Sequence, residues 1–196
     1  PGYDATLGAE YVFNPAKAKE LLAQAGYANV STLPAISFSY SDTAGNRLIA
    51  QFIQAQLKDN LGIDVKLDPI ESKAFSQYVN QEKHQSAWFG WGADYPDPDN
   101  WLPELFGTDA GNNHTNYSSQ DFDNLAKRGK SELDAQKRLV IWADAHKMVV
   151  DDAPVAFFFN RERFLLVKPT VKGLKTTSMD GQITGDFFWP DVSLAK

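Results

Sequence analysis

Residues 87–106 read AWFGWGADYPDPDNWLPELF, and the reading of this stretch decides what kind of fold the chain adopts. An apolar run at 87–91 stops at Gly92 and gives way at once to Asp94, with Asp97 and Asp99 set beside Pro96 and Pro98. The pattern predicts a strand buried on both faces, as in a parallel sheet, emptying into an acidic, aromatic, turn-rich loop. In open α/β sheets ligands bind in the crevice beyond the carboxyl ends of the strands, which makes the loop a candidate site. Three of the five tryptophans, Trp88, Trp91 and Trp101, fall in the stretch. Each residue also has a plainer use: the tryptophans as core, Asp97 and Asp99 as turn formers, Asp94 as a cap.

Upstream, helix and strand alternate. Asn14 followed by Pro15 makes an N-cap with proline at the first helical position. Ala18, Leu21, Leu22 and Ala25 then repeat at helical spacing up to a left-handed stop at Gly26. A strand is expected over 35–40 and a helix over 46–60, with the stripe Leu48, Phe52, Ile53, Leu57 and Leu61 closed by Gly62. Ile63, Val65 and Leu67 alternate into a second strand ending at Pro69. Ser72 is expected to cap a third helix carrying Phe75, Tyr78 and Val79. This order favours an α/β sheet with right-handed crossovers.

Downstream, Phe122, Leu125, Ala126 and Gly129 define one amphipathic helix. Leu139, Trp142, Ala143, His146 and Val150 define another, capped by Asp134. Residues 154–159 and 164–167 read as strands flanking a turn at Asn160-Arg161. The tail after Lys172, with Gly173, Gly181 and Gly185, has no clear period.

Composition narrows the chemistry. The 196 residues are 43% hydrophobic and 13% aromatic, enough for a packed core and too much for a disordered chain. No apolar run approaches the roughly 18 residues of a membrane helix. A net charge of −6, with 19 basic side chains dispersed among 25 acidic ones, argues against a nucleic-acid surface. Cysteine is absent, which removes disulfides, thiolate catalysis and thiolate-ligated zinc. Pro1-Gly2-Tyr3-Asp4 carries neither an initiator methionine nor a signal sequence, so the chain is expected to be a piece of something longer.

Catalytic and metal motifs do not stand out. His84, His114 and His146 are about thirty residues apart, without metal-ligand spacing, and His146 reads as a hydrogen-bonded core histidine. There is no G-x-S-x-G elbow, Walker loop or G-x-G-x-x-G fingerprint. The loop aspartates lack the spacing, glycine and closing glutamate of a calcium site. A carboxylate-dependent hydrolase would need two carboxylates of divergent pKa at a fixed separation, and aspartates three apart on a proline-rich turn rarely provide that. A carboxylate beside indole rings suits a different task. An ammonium group gains charge-assisted hydrogen bonds from aspartate and quadrupole attraction from tryptophan, so the loop fits the amino end of a peptide, an amine or a cationic head group.

Several segments then resemble one family in register. The segment Tyr11-Val12-Phe13-Asn14-Pro15-Ala16-Lys17-Ala18-Lys19-Glu20-Leu21-Leu22 through Gly26-Tyr27 resembles the Y-x-x-(D/N)-P-x-K-A-K-x-L-L-x-x-A-G-Y segment of the family 5 extracellular solute-binding proteins. These are the oligopeptide- and dipeptide-binding receptors of ABC importers. Ile49-Ala50-Gln51 through Leu57, then Leu61-Gly62-Ile63-Asp64-Val65, is similar to the family's next helix–strand pair. Trp91-Gly92-Ala93-Asp94-Tyr95-Pro96-Asp97-Pro98 resembles its W-x-A-D-Y-x-D-P loop. Asn116-Tyr117 with Phe122-Asp123-Asn124-Leu125, and residues 167–173 (VKPTVKG), resemble later segments.

The resemblance implies a lobe of periplasmic-binding-protein type II, an open and mostly parallel sheet flanked by helices. Residues 1–171 would form the carboxy-terminal ligand-binding lobe of a two-lobed receptor about 500 residues long, and 172–196 a tail returning to the other lobe. It implies a monomeric, non-enzymatic, periplasmic or extracellular protein, membrane-anchored at full length, that needs no cofactor and delivers an extracellular peptide to a membrane permease. Asp94 maps to the aspartate that holds the ligand α-ammonium, with Trp88, Trp91, Gly92, Ala93, Tyr95 and Trp101 around it. One departure from the family bears on the ligand. Residues 85–105 contain no Lys or Arg to meet a peptide carboxylate, and Trp88 stands upstream instead. Oligosaccharide binding, with the tryptophans as stacking platforms, is the alternative within the family, and the hydrolase the alternative outside it.

Overall fold

Asn14 and Pro15 start the first helix as their chemistry dictates. In the computed structural model, which describes Thr6, Gly8 and residues 11–160, 164–175 and 186–195 (without the side chains of 186–188), α1 spans Pro15–Gln24. The Asn14 side chain accepts from the Lys17 N–H at 3.0 Å, and Gly26 turns left-handed at φ 91°. The chain divides into two compact units, one ending at Gly90 and one beginning at Trp91.

The first unit is built on a parallel β-α-β crossover. Strand β1 (Ile36–Ser41) pairs in parallel with β2 (Val65–Ile70), in register from Ile36 opposite Val65 to Ser41 opposite Ile70. Helix α2 (Ala44–Leu61) joins them, capped by Thr43 and ended by Gly62 at φ 74°. Its buried residues are Ala50 and Ile53, whereas Leu48 and Phe52 from the expected stripe are 69% and 62% exposed. Helix α2 turns Ala50 and Ile53 inward over a sheet of only two strands among the described residues, which leaves Leu48 and Phe52 on its outer side. Helix α3 (Ser72–Asn80) buries Phe75 and Val79. Its cap is Glu71, which accepts from the Ala74 N–H, in place of the expected Ser72. Fully buried Ser39 is satisfied by Asp68 at 3.1 Å and the Tyr78 hydroxyl at 3.2 Å, as buried polar groups must be.

Residues 87–91 do not form the expected doubly buried strand. One parallel bridge sets Ala87 beside Ser39, with the Ser39 N–H donating to Ser86 O at 2.9 Å and the Trp88 N–H to Ser39 O at 2.8 Å. Beyond it the ladder stops and Phe89 is 43% exposed. Gly90 and Gly92 follow, and glycine so placed weakens a strand.

In the second unit, α4 (Leu102–Phe106), α5 (Gln120–Ser131) and α6 (Ala135–Asp152) share a core of Leu102, Phe106, Phe122, Ala126, Trp142, Ala145 and Val149. Ser119 caps α5, and Asp134 caps α6 by accepting from the Gln136 and Lys137 N–H groups at 3.0 Å. Gly129 of α5 is required by packing, since a Cβ there would lie 2.7 Å from the Trp142 ring. Tyr117 meets Phe106 and Phe122 edge-on, at centroid distances of 6.4 and 5.8 Å. Its hydroxyl donates to Asp152 at 2.6 Å, and burial together with that bond pushes its pKa up to about 12.

The expected strands at 154–159 and 164–167 are absent. Neither segment pairs with another strand among the described residues, and Phe157, Phe164 and Leu166 are 63%, 87% and 103% exposed. Arg161, in the turn expected between them, lies outside the described residues, as do Gly181 and Gly185. The tail does carry a short pairing, β3 (Val171–Lys172) antiparallel to β4 (Ser193–Leu194). Gly173, at φ 77°, permits it, because a Cβ would collide with Asp191 O. Among the described residues no helix is long and apolar enough to cross a membrane.

Candidate functional site

The acidic loop is a compact turn assembled around Asn100. Asp97 starts it, with its side chain accepting from the Asp99 N–H at 2.9 Å and its carbonyl from the Asn100 N–H at 3.1 Å. Pro98 fixes the next φ, and Pro98–Asn100 closes as a 3-10 turn leading into α4. Asn100 is 3% exposed and fully engaged. Its Oδ1 accepts from the Asp94 N–H at 2.7 Å, its Nδ2 donates to Asp94 Oδ2 at 3.3 Å, and its carbonyl accepts from Trp91 Nε1 at 2.9 Å. Asn100 thus holds both ends of the segment 91–94.

The three aspartates differ in what they face. Both oxygens of Asp97 accept from the Arg138 guanidinium of α6, at 2.7 and 2.8 Å. That bidentate bond holds the Asp97 carboxyl below the ordinary carboxylate value, against the opposing effect of burial, and raises Arg138 in turn. Asp99 lies 3.3 Å from Lys130 Nζ and accepts from the Tyr95 hydroxyl at 2.7 Å, which raises the Tyr95 pKa. Asp94 is exposed and makes no ion pair among the described residues. Its carboxylate is oriented by Asn100.

Trp91, Gly92, Ala93, Asp94, Tyr95 and Trp101 lie on or beside this turn. Trp91 is half-buried with its indole N–H fixed, Tyr95 is 43% exposed, and Trp101 is 39% exposed at the head of α4. Trp88 belongs to the unit ending at Gly90, where its backbone pairs with Ser39. Sequence reasoning missed Asn100 and Arg138. Asn100 could have been found as the residue three after Asp97 on a Pro-x-Asn turn, and Arg138 as the cation one helical turn before Trp142. Its guanidinium carbon stands 5.4 Å from the Trp142 ring centroid. Among the described residues no group of three or more potential metal ligands is present.

The chain is similar to proteins already known. The model of the bacterial extracellular solute-binding proteins, family 5 Middle, matches residues 1–113, which include the whole turn. The Bacillus subtilis dipeptide-binding protein DppE is 34% identical over 164 residues, covering 82% of this chain and 30% of its own length. Among solved structures, Burkholderia pseudomallei OppA superposes with a TM-score of 0.80 at 26% identity, over 93% of this chain and 35% of that one. Helicobacter pylori DppA, solved in complex with peptide STSA, superposes at 0.75 with 30% identity, over all of this chain and 37% of that one. The chain spans between 25% and 33% of the length of the first curated relatives. Its structural neighbours are type II periplasmic binding proteins, and the parallel sheet flanked by helices is theirs. The chain belongs to the family 5 bacterial extracellular solute-binding proteins.

Proposed function

We propose that this chain is the carboxy-terminal lobe of the substrate-binding component of an ABC importer, which captures oligopeptides outside the cytoplasm by holding their α-ammonium group on Asp94. Residues 1–171 form the lobe, and 172–196 return to the other lobe of the longer molecule. The full receptor acts as a monomer, is periplasmic or extracellular and membrane-anchored, and passes its ligand to a permease. Trp91, Gly92, Ala93, Tyr95 and Trp101 surround the ammonium site, and Trp88 keeps the stacking role expected from its sequence.

The observation that carries this reading is the division of labour among the three aspartates. Arg138 engages Asp97 and Lys130 engages Asp99, while exposed Asp94 is oriented by Asn100 and makes no ion pair among the described residues. An exposed, oriented carboxylate beside indole rings is chemistry for a ligand cation. The same division disfavours a hydrolase, because neither neighbouring aspartate is left as a second reactive carboxylate. The bound peptide of the H. pylori relative supports the ligand class. Exposed Trp101 favours an oligosaccharide as the second reading.

The test is peptide titration of the full-length receptor. Asp94→Asn should weaken binding by roughly 1.5–3 kcal/mol, the range for a hydrogen bond to a charged partner, with the melting temperature nearly unchanged. Unaltered peptide affinity would remove Asp94 from the site.

A further inference from the structure

Arg138 lies outside the loop, on α6. Its guanidinium nonetheless joins the loop to the helices. Nη1 and Nη2 donate to the two oxygens of Asp97, and Nε donates to the carbonyl of Gly129 on α5 at 2.9 Å. The group also lies over the ring of Trp142, the largest fully buried side chain among the described residues. Arg138 therefore ties the helical core to the residue that starts the turn.

We propose that Arg138 is a positioning residue for ligand recognition, fixing the Asp94 carboxylate through the relay Arg138–Asp97–Asn100–Asp94. Each link is a hydrogen bond of defined direction. Arg138 holds Asp97, the Asp97 carbonyl accepts from the Asn100 N–H, and the Asn100 amide brackets Asp94 at both its N–H and its carboxylate. A carboxylate on an exposed loop would otherwise lose rotamer and backbone freedom on binding, and holding it in place beforehand removes that cost. The fork geometry matters, since a lysine ammonium at this position cannot satisfy both Asp97 oxygens and the Gly129 carbonyl in one plane.

The proposal rests on Asp94 as the ammonium site, and the experiment separates the two. Alanine peptides of two to five residues, with free amino termini, are titrated into the full-length receptor in four forms: wild type, Asp94→Ala, Arg138→Met and the double variant. Arg138→Met should weaken binding about tenfold when Asp94 is present, and by less than about twofold in the Asp94→Ala background. Arg138→Lys should not restore the loss. Equal losses in the two backgrounds would mean a general structural role and would overturn the proposal, as would no loss in either. If Arg138→Met fails to fold, Asp97→Asn, which keeps the side-chain shape and removes the charge, carries the same comparison. If Asp94→Ala leaves binding unchanged, or no free peptide binds, the ammonium site itself falls and the proposal with it. A loss for Asp94→Ala with none for Arg138→Met overturns the positioning role alone.

Discussion

Asp97 and Asp94 are three residues apart and have opposite duties. Asp97 faces Arg138 and builds the turn, while exposed Asp94 is the proposed contact for a ligand ammonium. The ion pair has a pH signature. Arg138 lowers the Asp97 pKa in the folded state, so the pair's contribution is present above the ordinary carboxylate value and is lost as pH falls through the lowered one. At neutral pH Asp97→Asn should therefore melt below wild type, and the gap should shrink below about pH 4. A gap that persists unchanged into strong acid would show that the charge is not what Asp97 contributes. Of these residues, the sequence marked Asp94 through its neighbours but gave no sign that Asn100 orients it. A buried asparagine that anchors a turn and an exposed turn asparagine read alike in one sequence.

Helices were legible where local chemistry sets their ends. Asn14-Pro15, Gly62 and Asp134 each stand where a boundary falls. The facing of helices was less legible. The buried column of α6 runs through Ile141, Trp142, Ala145 and Val149, turned from the expected Leu139, Ala143, His146 and Val150, which leaves Ala143 exposed. Arg138 occupies a place on that column that hydropathy skips, because its apolar stem covers the core while its head meets Asp97. Strands needing distant partners were the least legible. The bridge at Ala87, and the lack of strand at 154–159 and 164–167 among the described residues, depend on what lies beside these segments, which alternation does not encode.

The packing of α5 on α6 gives two tests by thermal or denaturant unfolding. Trp142→Ala should destabilise by about 3–5 kcal/mol, as large-to-small core changes do. Gly129→Ala should destabilise by about 1–3 kcal/mol through overpacking against the Trp142 ring, although alanine is the better helix former. Stabilisation by Gly129→Ala would mean that the two helices sit farther apart than described.

The whole chain is about a third of the relatives it matches, so its binding surface is proposed as half of a two-lobed site. Losing about 4 kcal/mol of contact costs roughly a thousandfold in affinity. Calorimetry on the 196-residue chain alone should show peptide binding no tighter than about millimolar. Micromolar binding would mean that this chain holds a complete site.

The most direct measurement is the crystal structure of the full-length receptor with a bound peptide, read at the Asp94 carboxylate. The account predicts the peptide's terminal ammonium about 2.7–2.9 Å from an Asp94 oxygen, with Asn100 still bonded to the same residue and Arg138 still forked onto Asp97. A peptide whose amino terminus lies against another group, with Asp94 facing only water, would contradict it.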